Sequence, residues 1–366
     1  MRVLLVTIHR VYNYGSVLQT YATQKVFEKL NCQVEVLDYI TPQRTFKRIL
    51  LNCPDDLKNN RIKRFVYIIL KFPSMLLKKI TFGKFINKYL KLTKKYITVD
   101  DIKKDCPVAD IYVTGSDQTW NSKYNEGIDE GYFLNFGDMD SKRISFVASF
   151  GKDKLDDFET EKTKEYLSKY TALSVRENSA VKILNSLGFE NVKWLIDPTL
   201  QISKEEWKYL ASKRLVKKKY LILMLLYNED NNASKYARKI ADMKGLELVK
   251  ISWELKKADY VDILFTHRTP NDFLSLFYYA DFVVTNSFHG LAFAINFNRQ
   301  FIVVPREEFN SRIMSLLELT NLLNRLTDSD SILEKNIKEI IDFGSVNEVL
   351  EEERKKAKEF IIENII

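Results

Sequence analysis

This 366-residue sequence is short of cysteine, histidine and long apolar runs. Its three cysteines are widely spaced, odd in number and form no CxxC pair, so neither a disulfide framework nor a cysteine-based zinc site is indicated. We therefore expect a cytoplasmic protein. The apolar run Val3–Val6 is short and is followed by His9-Arg10, which favours a first strand over a signal peptide.

Positive charge is concentrated in one segment. Residues 44–95 hold fifteen Lys or Arg against two acids, giving +13 there and −5 over the rest of the chain. Aromatic and aliphatic residues are interleaved with these cations, but Lys71 and Pro73 interrupt the best apolar stretch, so it cannot span a bilayer. Two interpretations stay open: a surface that docks peripherally on the inner face of an anionic membrane, or a helical insertion with a solvated basic face. No nucleic-acid-reading motif accompanies the charge.

Strand-length apolar runs alternate with helical patterns, which predicts an α/β protein. We expect two Rossmann-like doubly wound domains facing a cleft, spanning residues 1–200 and 201–340. Residues 341–366 are expected to form a helix that packs back on the first domain, as the end of a helical run Lys335–Ile366. The first helix is predicted to run from Ser16, its N-cap, to about Leu30. The predicted strands are Val3–Ile8, Val34–Tyr39, Ile111–Gly115, Ile144–Ser149, Leu173–Val175, Val192–Ile196, Tyr220–Tyr227, Leu246–Ile251, Ile263–Thr266, Phe282–Thr285 and Phe301–Val304.

All three histidines follow predicted strands. His9, His267 and His289 therefore lie where ligands bind in open α/β sheets, although each could instead cap a strand. The turn Thr285–Gly290, which contains Ser287, Phe288, His289 and Gly290, leads from a strand into an apolar helix. Its backbone N–H groups suit an anion, and a histidine can move a proton near neutral pH.

Three further motifs follow predicted strands. Asn13-Tyr14-Gly15-Ser16 offers a close backbone approach at a helix start. Gly115-Ser116-Asp117-Gln118-Thr119-Trp120-Asn121 groups a carboxylate, amides and an indole in a way that suits a sugar; the alternative is an Asp cap with a buried Trp. Arg176 can hold a carboxylate or phosphate through a bidentate fork, or can pair structurally with Glu177.

Taken in order, these motifs resemble the polysaccharide pyruvyl transferase family over about residues 1 to 320. The residues that carry the resemblance are Asn13–Ser16 with Leu18-Gln19 and Tyr21-Ala22, Gly115–Gln118 with Trp120-Asn121, Ser174–Glu177, Asp197–Thr199, and Asp281 with Thr285–Gly290. The resemblance implies a GT-B-like fold and transfer of pyruvate from phosphoenolpyruvate to a sugar, usually as a cyclic ketal, in capsular or surface polysaccharide synthesis.

The family pattern also implies residue roles. Arg176 and His289 match residues that hold phosphoenolpyruvate. Some relatives carry a second Arg two positions before the His, where this chain has Ser287. The positive charge of that missing Arg must come from Arg268, Arg306 or Arg312, or else the substrate differs.

We expect the Ser287–Gly290 turn and one such Arg to grip the phosphate and Arg176 to grip the carboxylate. His289 is the candidate general acid, although it could only balance the phosphate charge, and Asp117 is the candidate for orienting or deprotonating the acceptor hydroxyl. The expected acceptor-side residues are His9, Asn13, Tyr14, Gly15, Ser16, Gly115, Ser116, Gln118, Trp120 and Asn121.

The mechanism needs no metal and no cofactor besides phosphoenolpyruvate as donor substrate. The expected partner is a sugar acceptor, often lipid-linked in this family. Two rival functions stay open: a nucleotide-sugar-dependent glycosyltransferase of GT-B type, and a non-catalytic sugar-binding or scaffold protein at a membrane surface.

Overall fold

The computed structural model describes residues 1–226, 231–253, 258–306 and 311–365. Within these ranges, parallel strands form two sheets, of seven strands in the order β3-β2-β1-β4-β5-β6-β7 and of five in the order β10-β9-β8-β11-β12. The strands are β1 (Arg2–Val6), β2 (Gln33–Tyr39), β3 (Leu92–Tyr96), β4 (Ile111–Thr114), β5 (Lys142–Ala148), β6 (Ala172–Val175), β7 (Lys193–Trp194), β8 (Tyr220–Met224), β9 (Glu247–Ile251), β10 (Ile263–Phe265), β11 (Phe282–Thr285) and β12 (Gln300–Val303).

Helices connect the strands, as parallel pairing requires. Those associated with the first sheet are α1 (Tyr14–Glu28), α2 (Phe46–Leu51), α3 (Asp55–Lys58), α4 (Arg61–Tyr89), α5 (Val99–Lys104), α6 (Ser122–Asn125), α7 (Asp157–Leu167) and α8 (Asn178–Ser186). Those that follow are α9 (Pro198–Gln201), α10 (Lys204–Leu210), α11 (Asn231–Lys244), α12 (Pro270–Tyr278), α13 (Phe288–Asn296), α14 (Ser311–Leu319), α15 (Asp330–Lys338) and α16 (Phe343–Ile365). The predicted α/β architecture of parallel sheets is confirmed.

Most strand ends differ from the predicted ends by one or two residues. Strand β3 was not predicted, because its sequence Leu-Thr-Lys-Lys-Tyr lies at an exposed sheet edge and is mostly polar. The predicted end of one strand at Tyr227, and the predicted helix end at Ile366, lie outside the described residues. The long C-terminal helix predicted from Lys335 is instead interrupted between α15 and α16.

The start of helix α1 differs from the prediction. Asn13, not Ser16, is the N-cap: its side-chain oxygen accepts hydrogen bonds from the backbone N–H groups of Gly15 at 2.9 Å and Ser16 at 3.4 Å. The hydroxyl of Ser16 is used elsewhere, since it donates to Asp117. The N-cap therefore lies three residues earlier than predicted, and the helix brings its first N–H groups to the carboxyl end of β1.

One apolar core joins the two sheets. Val17 and Leu18 of α1 pack in the same buried cluster as Phe273 of α12 and Leu291 of α13. This shared core fixes the start of α1 beside the start of α13. On the same face of the first sheet, Phe360 and its neighbours on α16 pack with Phe27 of α1 and with residues of β1 and β5.

Helix α4 occupies most of the basic segment. It is 29 residues long and contains Pro73, and it buries Met75, Phe82, Phe85 and Ile86 against the fold. Among the described helices, none combines the length and apolarity that crossing a bilayer requires.

Candidate functional site

The site begins where α1 and α13 start side by side. Ser287 caps α13 by accepting a 3.4 Å hydrogen bond from the Gly290 N–H. A Cβ on Gly290 would lie 2.3 Å from Thr285 Oγ1, and one on Gly15 would lie 2.0 Å from His289 Nδ1. Both glycines are therefore dictated by close approach, and the second contact holds the His289 ring against the first turn of α1.

A fully buried ion cluster lies beneath these helix starts. Arg176 Nη1 donates to Asp197 Oδ2 at 2.9 Å, and Arg176 Nη2 lies 3.6 Å from Asp117 Oδ1. Asp197 also accepts from the hydroxyls of Ser116 at 3.0 Å and Thr199 at 2.7 Å. Burial alone would raise the pKa of Asp197, but the Arg176 charge and these bonds lower it to about 2. Asp197 is thus a carboxylate at any working pH.

His289 is neutral in this environment. Burial, reinforced by Arg176 and Arg312, lowers its pKa to about 4, although Asp197 and Asp117 oppose the change. Its Nε2 lies 3.9 Å from Asp197 Oδ2 and has no hydrogen-bond partner within the described chain. The sequence prediction used the ordinary pKa near 6.5, and burial in the fold overturns that premise.

A cavity of about 280 Å³ opens over the cluster between the two sheets. It is lined by Ile8, Val11, Asn13, Ser16, Arg44, Asp117, Gln118, Tyr124, Leu226, Ser287, Phe288, His289, Arg306 and Arg312. The structure therefore brings together residues predicted for both the donor and the acceptor. No group of three or more metal-ligating side chains occurs in the ranges that the structure describes.

Of the three arginines considered as replacements for the one missing at Ser287, two reach this cavity. Arg306 and Arg312 line it, with Arg312 at the start of α14; Asn310, before that helix, lies outside the described residues. Burial and repulsion from Arg176 lower the pKa of Arg312 to about 10. Its terminal nitrogens face the Gln118 side chain, whose amide oxygen, turned toward them, accepts at 3.0 and 3.1 Å.

Arg268 is not brought to the cavity. Its guanidinium lies 4.5 Å from the centre of the Phe265 ring, and its backbone carbonyl accepts the Tyr14 hydroxyl at 3.0 Å. The Tyr14 ring stacks on Trp253 and Phe273, so it fills the core between the sheets and does not face an acceptor.

Asp117 has an unusual backbone and a crowded carboxylate. Its φ of +79° lies in the left-handed region, a strain that tends to occur at functional sites. Ser16 Oγ donates to one oxygen and the Gln118 N–H donates to the other at 2.9 Å. Burial opposes ionisation, but Arg176 and His289 nevertheless lower the pKa of Asp117. A carboxylate held in this way orients a hydroxyl better than it removes a proton.

Arg176 lies behind the cavity wall. It is 3 % exposed, and its guanidinium carbon is 4.8 Å from the centre of the Phe288 ring. In this arrangement its charge is balanced by Asp117 and Asp197. Arg176 does not line the cavity, and its Nε and Nη2 have no hydrogen-bond partner in the described chain. Its direct grip on a carboxylate stays a prediction.

Three other residues predicted on the acceptor side are structural. Trp120 is 2 % exposed, stacks on Phe133 and donates its indole N–H to a backbone carbonyl, so its ring cannot stack on a sugar. His9 is buried with its ring nitrogens 3.1 Å from Asp38 and from a backbone carbonyl. Gly115 is required by packing, because a Cβ there would lie 2.8 Å from Leu5.

Two further side chains make bonds of their own. Asn121 caps α6, where its side-chain oxygen accepts a 3.2 Å hydrogen bond from the Tyr124 N–H. His267 Nε2 lies 2.7 Å from the Ser74 hydroxyl, outside the cavity.

Sequence reasoning missed two residues of the site. Asp197 was noted only as part of a motif, yet it lies at the centre of the ion cluster. Arg44 was counted only in the basic segment, yet it lines the cavity, with hydrogen bonds of 2.7 Å to Tyr132 and Asn125. Asp197 could have been found, because it directly follows a predicted strand and precedes a Pro that starts a helix. No local pattern in the sequence marks Arg44 as a site residue.

Comparisons with known proteins give a family and a fold. A family model described as polysaccharide pyruvyl transferase matches residues 13–308. Among curated proteins no match is found. A UDP-GlcNAc 2-epimerase from Methanocaldococcus jannaschii has a similar structure, with a TM-score of 0.50, 13 % identity, and coverage of 93 % of this chain and 92 % of that chain. The resemblance extends to the fold alone, and it confirms the predicted GT-B-like architecture.

Two further solved structures align over nearly the whole chain. One is the UDP co-structure of MnaA from S. aureus, with a TM-score of 0.47, 14 % identity and coverage of 99 % and 95 %. The other is the glycosyltransferase SsfS6 from Streptomyces sp. SF2575, with a TM-score of 0.43, 11 % identity and coverage of 97 % and 96 %.

Proposed function

The chain belongs to the polysaccharide pyruvyl transferase family, and from this premise we propose that it transfers pyruvate from phosphoenolpyruvate to a sugar, as a cyclic ketal, in surface or capsular polysaccharide synthesis. The observation that carries the proposal is the cavity in which two helix starts and the guanidinium groups of Arg306 and Arg312 surround His289. Helix N-termini and guanidinium groups together favour a small, multiply charged anion.

The donor phosphate is assigned to the start of α13. There the Ser287–Gly290 turn presents N–H groups, and Arg312 and Arg306 supply the charge that Ser287 does not. The donor carboxylate is assigned to the opposite wall, where Arg44 reaches the cavity. Arg176 is then a positioning residue that holds Asp117 and Asp197 beneath the donor.

His289 takes up a proton when the donor binds. In the free protein its pKa is about 4, so it enters the reaction neutral. A phosphate group beside it favours the protonated ring, which can then act as the general acid. This route retains the acid role of His289 although its pKa in the free protein is low.

The chemistry is a transfer without oxidation or reduction. Protonation of the terminal enol carbon makes the central carbon electrophilic, and a sugar hydroxyl, oriented by Asp117 and Ser16, forms a C–O bond there and releases its proton. The C–O bond to phosphate breaks and phosphate leaves. A second sugar hydroxyl then bonds to the same carbon and loses its proton, which closes the ketal.

The decisive experiment is incubation of the purified protein with phosphoenolpyruvate and candidate sugar acceptors. We expect released phosphate together with a mass gain of one pyruvyl ketal on the sugar. Ligand-induced stabilisation separates the rivals: phosphoenolpyruvate should raise Tm, by an amount equivalent to about 2.7 kcal/mol at one hundred times Kd. A rise with nucleotide sugars alone would support a glycosyltransferase instead, and no rise with either would support a non-catalytic protein.

A further inference from the structure

Helix α4 is apolar on two opposite sides. One side packs into the fold through Phe82, Phe85 and Ile86. The opposite side, about half a turn away at 3.6 residues per turn, carries large apolar side chains that face solvent. An amphipathic insertion that served only its own domain would expose polar residues there.

The exposed side is unusual for this molecule as well as for the helix. Among the described residues, 20 large apolar side chains are exposed, and nine of them lie on α4, with exposures from 38 to 77 %. They include Ile62, Phe65, Ile69, Leu70, Leu77 and Ile80. Ile62, Phe65, Ile69, Phe72, Leu76 and Ile80 recur every three or four residues. With the neighbouring Leu70 and Leu77 they form a stripe of roughly 27 Å at 1.5 Å per residue. Contiguous apolar surface of this kind marks a site of interaction.

Charge on the same helix selects the partner. Residues 61–89 contain eight Lys or Arg and neither Asp nor Glu, and those of the first turn and Lys84 and Lys88 are exposed. Six of the eight are exposed, so a second copy that presented the same helix would bring six exposed cations toward six, which opposes self-association. An anionic bilayer offers both an apolar interior for the stripe and phosphate groups for the flanking cations.

The position of α4 also relates the stripe to the cleft. A second cavity, of about 140 Å³, lies between α4 and the first sheet and is lined in part by Lys79 and Gly83. Arg44 and Val11 line both this cavity and the one over His289. Leu76 and Ile80 lie on the same side of the helix as Gly83, so the stripe borders this second cavity.

We propose that the exposed stripe of α4 docks on the surface of an anionic lipid bilayer, with the flanking lysines and arginines on the lipid phosphates. The acceptor side of the cleft then opens next to the bilayer. Only this last consequence depends on the proposed function; the docking itself does not.

Flotation with vesicles tests the docking. The full-length protein should float with vesicles of phosphatidylcholine and phosphatidylglycerol, should bind phosphatidylcholine alone far more weakly, and should be released as sodium chloride is raised. The double variant Phe65→Glu/Leu70→Glu should lower the partition coefficient by at least about tenfold. It removes two apolar side chains that the bilayer would bury, and it adds two carboxylates that the anionic lipids repel.

A matched control separates the stripe from general surface charge. Phe158 and Ile340 are 65 % and 80 % exposed, close to the 64 % and 74 % of Phe65 and Leu70, and they lie outside α4. The double variant Phe158→Glu/Ile340→Glu carries the same charge change and should float like the unchanged protein. Equal loss in both double variants would overturn the proposal, as would failure of the unchanged protein to bind anionic vesicles at low salt.

Two other measurements keep this proposal distinct from the enzymatic one. Turnover of a water-soluble sugar acceptor should be the same in both double variants, because none of the four residues lines the cavity. Sedimentation equilibrium should show no dimer that depends on the stripe. A dimer of the unchanged protein that the double variant Phe65→Glu/Leu70→Glu abolishes would make the stripe an interface between copies and would overturn the docking.

Discussion

The protonation of His289 gives the sharpest test of the proposed chemistry. Its ordinary pKa near 6.5 falls to about 4 in the folded chain. At 1.36 kcal/mol per pH unit, this difference is an unfavourable free energy of roughly 3 kcal/mol for placing a proton on the ring. At neutral pH fewer than about one molecule in a hundred should carry that proton, so the free protein has almost no general acid at this position.

Binding of the donor should reverse this balance. One phosphate charge at 4 Å from the ring contributes about 4 kcal/mol at an effective dielectric constant of 20. That attraction is as large as the unfavourable term, so the pKa of His289 should return to near neutrality in the complex. Donor binding should therefore be accompanied by proton uptake on His289. Donor affinity should fall as pH rises from about 4 toward neutral, and it should level off above the pKa that His289 has in the complex.

Histidine NMR measures both states directly, since the chain has only three imidazoles. The His289 resonance, assigned with His289→Gln, should not titrate until the pH falls well below 6 in the free protein and should titrate near neutral pH with phosphoenolpyruvate present. The His267 resonance, from a ring outside the cavity, serves as an internal control. An ordinary pKa for His289 in the free protein, or the same pKa with and without donor, would refute the reasoning.

Three substitutions extend this test. Gly15→Ala should reduce turnover by about 10²-fold or more, because the added Cβ would lie 2.0 Å from His289 Nδ1 and must displace the ring. It should also lower the free energy of unfolding by about 1–3 kcal/mol, as overpacking of a buried site does. Asp197→Asn should lower the free energy of unfolding by about 3–5 kcal/mol, measured with urea, because it removes the main carboxylate partner of buried Arg176. Arg312→Gln should raise the Kd for phosphoenolpyruvate at least about tenfold, measured by calorimetry, because it removes a charge-assisted bond, without lowering Tm of the free protein.

Controls and contrary outcomes follow from the same contacts. Gly83→Ala adds a Cβ that meets nothing within 4 Å, so it should leave turnover unchanged where Gly15→Ala does not. Unchanged turnover in Gly15→Ala would mean that the ring position is unimportant. A stable Asp197→Asn protein would mean that the buried charge is balanced in another way. Equal donor affinity in Arg312→Gln would remove this guanidinium from the phosphate site.

The fold could be predicted largely because its strands are buried on both faces. Runs such as Tyr220–Met224 are apolar throughout, and parallel strands of this kind are recognisable without knowledge of their neighbours. The candidate site could be located for a related reason: in parallel sheets the carboxyl ends of strands gather at one edge, so polar motifs that directly follow strands come together.

Roles that depend on distant neighbours could not be predicted. Trp120 is removed from the cavity by Phe133 and Phe150, which no local pattern pairs with it. Asn13 and Ser16 are both good N-cap residues, and the choice is made by a bond from Ser16 to a residue 101 positions away. The same applies to α4, whose sequence is apolar on two sides and does not say which side the fold covers.

The distribution of charge in the cleft gives a rule for separating stability from binding. Beneath the cavity, Arg176 is balanced by two ionised carboxylates, so a substitution there leaves a buried charge without its partner and should lower stability and turnover together. On the cavity walls, no carboxylate of the described chain lies within salt-bridge distance of Arg44 or Arg312. Removing Arg312 relieves its repulsion from Arg176 in the free protein and should weaken only donor binding. Arg44 also donates hydrogen bonds to Tyr132 and Asn125, so removing it should lower stability as well. If substitution of Arg312 lowered Tm as much as substitution of Asp197, Arg312 would stabilise the free protein and would not be reserved for the donor. The assignment of the phosphate to the start of α13 would then fail.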